Sequence, residues 1–306
     1  MSTSFLVLLL MAVGRPTQGQ VPVFRTGVDL VNVGVTVTDK KGDLVEHLKG
    51  EDFEIYEDGR PQALRYFLAG DRSDGVATDI HLGLLLDVSE SMGEDVRFTR
   101  TAAVKFLNTL VDAVDVTVVD FDTEVRAARY GQKDFARLVE RIRQQKATGM
   151  TALYDAIGIY LDGAVRQDGR KIMVLYTDGG DTRSSIRLNE LMDLLKASDA
   201  TVYVIGELTH QSSFARDQAR SILQSIAETT GGRAFFPSSV KELGPMYEKV
   251  LAEIRAQYTL GYLSSNDRTD GVWRKVEIRL VGKDRKDLRI RSRKGYFAPY
   301  KASAKP

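Results

Sequence analysis

Leu84-Leu85-Leu86-Asp87-Val88-Ser89-Glu90-Ser91-Met92-Gly93 runs from an unbroken apolar stretch into three oxygen-bearing side chains at alternate positions. A strand that is apolar at every position has no solvent face. It needs cover on both sides, as in a parallel sheet between two helix layers. Met173-Val174-Leu175 repeats the pattern and runs into Tyr176-Thr177-Asp178-Gly179. Outward from these runs, the sequence predicts strands over His81–Val88, Val116–Phe121, Ile172–Thr177, Thr201–Ile205 and Arg233–Phe236. Glu124–Tyr130 reads as an added edge strand. Helical periodicity separates them over Arg97–Leu110, Asp134–Gln144, Leu153–Gly163, Leu188–Ala197, Ala215–Thr229 and Val240–Ala256. This alternation predicts an α/β unit over residues 78–257, a doubly wound, mostly parallel sheet of Rossmann-like winding.

The two flanks, residues 21–77 and 258–306, read as β structure. Residues 28–37 alternate with period two. Phe53–Tyr56 and Leu64–Phe67 flank Glu57-Asp58-Gly59-Arg60, and Asp-Gly between alternating runs predicts a hairpin. Further strands are expected at Tyr258–Tyr262, Trp273–Val281, Leu288–Ser292 and Gly295–Phe297. Flanks of about 57 and about 50 residues are each too small to bury an adequate core alone. Joined, they suit one β-sandwich, so the expectation is an α/β unit inserted into a β domain built from both flanks.

Composition narrows the function. The chain has 306 residues, a formal charge of +1, 43% apolar and 28% charged residues. That profile excludes disorder as the main state and lacks the basic excess of a dedicated nucleic-acid binder. With no cysteine, disulfides, zinc ribbons, iron–sulfur clusters and thiol catalysis are excluded. The three histidines, His47, His81 and His210, form no local metal motif. Phe5–Val13 is apolar but too short to span a bilayer, and small polar residues follow Gly14-Arg15-Pro16. Residues 1–20 therefore read as an export signal, although no Lys or Arg precedes the apolar run. The expected location is secreted or periplasmic, with no transmembrane segment in the mature chain. Between Gly271 and Pro306, 12 Lys or Arg face 3 Asp or Glu. A solvated strand face is the reading preferred over attraction to an anionic surface.

Three oxygen-bearing loops fall at the carboxyl edge of the predicted sheet, where doubly wound folds bind ligands. They are Asp87-Val88-Ser89-Glu90-Ser91, then Thr148-Gly149-Met150-Thr151-Ala152-Leu153, then Thr177-Asp178-Gly179. Carboxylates and hydroxyls without nitrogen or sulfur suit a hard cation, Mg²⁺ first and Mn²⁺ or Ca²⁺ next. In this order and on these elements the motifs resemble a von Willebrand factor type A (VWA) domain with a metal-ion-dependent adhesion site. The flanks are similar to those of secreted bacterial proteins related to that family, through Glu57-Asp58-Gly59, Tyr258-Thr259-Leu260-Gly261-Tyr262 and Arg293-Lys294-Gly295-Tyr296. The resemblance implies that Ser89 and Ser91 coordinate the ion and that Thr151 does so directly or through water. Asp87 and Asp178 would hold it mostly through water, and a partner protein's Asp or Glu carboxylate would fill the vacant position. Glu90 and Asp181 are read as solvated loop acids.

The function expected is a non-enzymatic binding module. A metal-dependent hydrolase is the first alternative, weakened because no His or Lys general base has a place in these loops. The second is an architectural subunit of an envelope assembly.

Overall fold

In the computed structural model, the residues described are 30–70, 79–93, 96–109, 113–282 and 285–300. The export-signal reading of residues 1–20 lies outside them.

The chain begins with β1 (Leu30–Thr38), β2 (Phe53–Glu57), β3 (Arg60–Gln62) and β4 (Leu64–Leu68). The α/β unit follows: β5 (Ile80–Asp87), α1 (Val96–Thr109), β6 (Ala113–Phe121), β7 (Val125–Gly131), α2 (Phe135–Gln144) and α3 (Leu153–Ala164). It continues through β8 (Arg170–Thr177), α4 (Leu188–Ala197), β9 (Thr201–Gly206), α5 (Ser213–Thr229), β10 (Arg233–Phe235) and α6 (Leu243–Ala256). The chain closes with β11 (Tyr258–Leu263), β12 (Trp273–Leu280), β13 (Arg289–Ser292) and β14 (Gly295–Phe297).

The central sheet has the order β10-β9-β8-β5-β6-β7, parallel except for the edge strand β7. All eight residues of β5 are buried, and so are seven of the eight in β8, as expected of strands covered on both faces. Leu82, Leu84 and Leu86 point to the layer that holds Phe106, Leu138 and Tyr247. Leu85 points the other way, to Leu153, Leu191 and Leu223. β5 therefore separates α1, α2 and α6 from α3, α4 and α5. The connection leaves β5 toward β6 on one side and returns to β8 on the other, so the switch point lies at the carboxyl end of β5.

The flanks combine as expected into two antiparallel four-stranded sheets, β13-β1-β11-β4 and β14-β12-β2-β3. β1 runs between β11 and β13, and β2 pairs with β12, so N-terminal strands are hydrogen-bonded to C-terminal ones. Val33, Val35, Ile55, Tyr258, Tyr262 and Val276 share the core between the sheets. One detail departs from the sequence reading. The hairpin at Asp58-Gly59 closes on β3, not on Leu64–Leu68. β4 instead crosses to the other sheet and pairs with β11, which lets Phe67 pack on Phe53 and Tyr258.

The two units are bolted together at the amino edge of the central sheet. α6 enters β11 with only Gln257 between them. Arg170 donates from Nη2 to the Ile254 carbonyl at 2.7 Å and to Gln257 Oε1 at 3.0 Å. Arg293 donates to the carbonyl of Asn32 at 2.8 Å, and Arg291 pairs with the buried Glu253. Part of the C-terminal basic excess is spent within the protein, with Arg274 buried and Arg285 paired to Asp52, while Lys275 and Arg279 lie on the exposed face of β12 as the sequence reading expected. Gly232 marks the tightest approach at this edge, since a Cβ there would lie 1.8 Å from the Val202 carbonyl oxygen. Gly232→Ala is expected to cost about 2–3 kcal/mol or more through forced backbone displacement, read as a lowered midpoint in urea unfolding.

Candidate cation-binding crevice

Each loop at the carboxyl edge is fixed by the strand it leaves. Asp87 is the last residue of β5 and is 1% exposed. Its Oδ1 accepts from the Ser89 backbone N–H at 3.0 Å and from Ser89 Oγ at 2.6 Å. Its Oδ2 accepts from Thr177 Oγ1, at the end of β8, at 2.6 Å. Ser89 Oγ lies 3.2 Å from Ser91 Oγ. Because the Ser89 hydroxyl hydrogen is committed to Asp87, the oxygen lone pairs are left for another partner on the Ser91 side.

The second loop is tied to the first along its backbone. Thr148 N–H donates to the Val88 carbonyl at 2.8 Å, and Glu90 N–H donates to the Gly149 carbonyl at 3.0 Å. Gly149 has φ +74°, and a Cβ there would meet Thr123 Oγ1 at 2.4 Å, so the turn demands glycine. Thr151 is 5% exposed; its N–H donates to Thr182 Oγ1, and its carbonyl accepts from the Thr182 and Arg183 N–H groups. The third loop turns at Gly179, with φ +82°, after the half-buried Asp178, whose Oδ1 accepts from Gly180 N–H at 3.0 Å. Hydrogen bonds thus join Asp87, Ser89, Ser91 and Thr177 side chain to side chain, while Asp178 follows Thr177 directly and Thr151 lies in the loop whose Thr148 and Gly149 are bonded to Val88 and Glu90.

The residue range 81–249 matches the family model described as the von Willebrand factor type A domain, more than half of the chain. The chain belongs to the von Willebrand factor type A family. Among solved structures it is similar to the vWF domain of the type V pili tip protein Mfa5 from Porphyromonas gingivalis, at 14% identity and TM-score 0.48, covering 58% of this chain and 96% of that one. It is also similar to a von Willebrand factor type A protein from Catenulispora acidiphila, at 12% identity and TM-score 0.49, covering 92% and 76%. A D319A mutant of the PilB minor pilin from Streptococcus sanguinis aligns at 13% identity and TM-score 0.49, covering 60% and 63%. No curated protein matches the chain.

The VWA crevice of this chain has the chemistry a hard cation needs. Burial pushes the Asp87 carboxyl up to about 7, against the pull of the Ser89 and Thr177 hydrogen bonds, and the charge of Asp178 adds to the rise. Among the described residues no basic side chain is hydrogen-bonded to this buried carboxylate, which has a second acid beside it, so it lacks countercharge that a divalent ion would provide. The donors gathered here are oxygens. Among the described residues no three His, Cys, Asp or Glu side chains gather into a metal cluster, at this crevice or elsewhere.

The sign of the Asp87 shift gives a test without any ion. The folded carboxyl binds its proton more tightly than the unfolded one. Its stability penalty is therefore absent below the ordinary carboxyl value of 3.8, grows as pH rises, and is complete above about 7. Metal-free protein is expected to lose thermal stability between about pH 4 and 7, and Asp87→Asn is expected to flatten that slope.

Several residues that hold the VWA crevice were not singled out from sequence. Asp122, 8% exposed, accepts from Thr148 Oγ1 at 3.2 Å, and its backbone carbonyl accepts from Ala152 N–H. Arg126 grips both Asp122 oxygens at 3.0 and 2.9 Å and reaches Asp120 at 2.8 Å. Burial pushes the Asp122 carboxyl up, but the Arg126 and backbone hydrogen bonds outweigh it and hold it below the usual range. Asp181 anchors the crevice as well: its Oδ1 accepts from Tyr154 N–H in the first turn of α3 and from Ser184 Oγ. This corrects its sequence reading as a solvated loop acid: it is half-buried, because the first turn of α3 and Ser184 both donate to it.

Proposed function

We propose that this chain is an exported, non-enzymatic binding module whose VWA crevice holds one divalent cation, Mg²⁺ or a close substitute, and through it grips an Asp or Glu carboxylate of a protein partner. Ser89 and Ser91 supply hydroxyl oxygens, Thr151 supplies a third directly or through water, and Asp87 and Asp178 balance the charge. When bound, the ion supplies an electrophilic position for the partner's oxygen. The observation that carries the reading is the orientation of Ser89. Asp87 accepts its hydrogen at 2.6 Å, which leaves its lone pairs for other partners, with Ser91 Oγ 3.2 Å away. Neutral first ligands leave more of the ion's charge for an incoming carboxylate than acidic ones would.

The same residues favour binding over turnover. The side chains that contact Asp87 and Ser89 are hydroxyls, and none is a His or Lys. Export follows from reading residues 1–20 as a signal. Among the described residues no helix is long and apolar enough to cross a membrane.

The test is capture of partners from envelope extracts on immobilised full-length protein. A partner retained in Mg²⁺, released by EDTA and absent with Ser91→Ala is the expected result. Retention that ignores both EDTA and Ser91→Ala contradicts the reading.

A further inference from the structure

The flanking β unit holds a cleft whose lining shares no residue with the VWA crevice. A cleft of about 270 Å³ opens beside the β2–β3 hairpin and is lined by Glu57, Asp58, Arg60, Gln62, Ser265, Asn266 and Arg268. Its floor is built. Glu57, 2% exposed, accepts from Tyr262 and Tyr296 at 2.8 and 2.9 Å and from Ser264 Oγ, and it faces the buried Arg274 at 3.6 Å. Arg274 in turn takes the carbonyls of Asn266 and Arg268, which folds the 264–268 loop over the cleft.

The lining groups differ in how far their polar atoms are already engaged. Gln62 spends both ends on Ser265, donating to its Oγ at 2.9 Å and accepting from its N–H at 3.0 Å. Asp58 Oδ1 accepts from Lys275 N–H, and Asn266 Oδ1 accepts from Arg268 N–H. The acceptors of the wall are thus engaged within the protein, apart from the second Asp58 oxygen. The donors are not. Among the described residues, the guanidinium groups of Arg60 and Arg268 have no acidic partner, and the Asn266 amide N–H groups face no acceptor. Arg60, Arg268 and Arg274 against Glu57 and Asp58 leave the cleft net positive. A wall of planar, charged donors with its acceptors used up matches an acceptor-rich anion with several oxygens.

We propose that this cleft binds a tetrahedral oxyanion, a phosphate group, between Arg60 and Arg268. Glu57 from one flank and Tyr262 and Tyr296 from the other meet at its floor, so the two flanks assemble the site jointly. With the ion crevice at the carboxyl edge and the β unit at the amino edge, the protein carries two separate binding ends.

The test is isothermal titration of the full chain with inorganic phosphate at constant ionic strength, with sodium acetate as a second arm. Wild-type protein is expected to bind phosphate at one saturable site, and Arg60→Gln/Arg268→Gln is expected to weaken it by about tenfold or more. Mg²⁺ affinity and thermal stability of that variant should stay at wild-type values, which separates lost contacts from misfolding. If the double variant misfolds, Asn266→Asp, which turns an amide donor into a like charge, serves instead and should weaken phosphate alone. Phosphate binding unchanged in these variants, no saturable phosphate binding by wild type, or acetate bound as tightly as phosphate would each overturn the proposal. Failure of the ion site would leave it standing.

Discussion

Arg274→Met is expected to destabilise the flanking β unit by about 3–5 kcal/mol, because it leaves the Glu57 carboxylate buried with its charge uncompensated. Both side chains are almost fully enclosed, at 3% and 2% of their accessible surface. The pair also joins the two flanks: Glu57 closes β2, while Arg274 lies in β12 and Tyr296 in β14. Burial, then the Glu57 charge, pushes the Tyr262 phenol far above its ordinary range, so it stays a donor to Glu57 at every accessible pH. The check is urea unfolding followed by tyrosine and tryptophan fluorescence. Glu57→Gln/Arg274→Met should recover part of the loss, since no lone charge is then buried. A single variant as stable as wild type would show that the pair holds nothing together.

The second large effect lies at the ion crevice. Adding Mg²⁺ to chelator-treated protein is expected to raise the melting temperature, as any ligand that binds only the folded state must. Ser89→Ala with Thr151→Ala removes two hydroxyl oxygens and should abolish that rise. The metal-free double variant should melt within a few degrees of metal-free wild type. Asp87, which accepts from Ser89 Oγ, keeps its bonds from the Ser89 N–H and from Thr177. A Mg²⁺-induced rise that survives both substitutions would place the ion elsewhere.

The architecture was legible in the sequence where burial leaves a mark on consecutive residues. β5 and β8 are apolar along nearly their whole length, and that pattern alone specified cover on both faces. The pairing of the flanks followed from size, since neither half encloses a core by itself. The path of β4 was not legible. Leu64–Leu68 alternates like any hairpin partner, and only the packing of Phe67 against Phe53 and Tyr258 decides which sheet it joins. The candidate ion loops were visible because hydroxyls and carboxylates follow apolar strands at short spacing. Their supports were not: Asp122 meets Thr148 across 26 residues, and Arg126 reads as an ordinary charge on an exposed edge strand.

The proposed function turns on one divalent ion that the loops after β5, before α3 and after β8 would hold. Anomalous diffraction from crystals grown with Mn²⁺ tests it most directly. The account predicts a single strong peak at coordination distance, about 2.0–2.6 Å, from Ser89 Oγ and Ser91 Oγ, with Thr151 and Asp178 around it. No peak in that crevice at saturating Mn²⁺, or a peak held by other side chains, would contradict it.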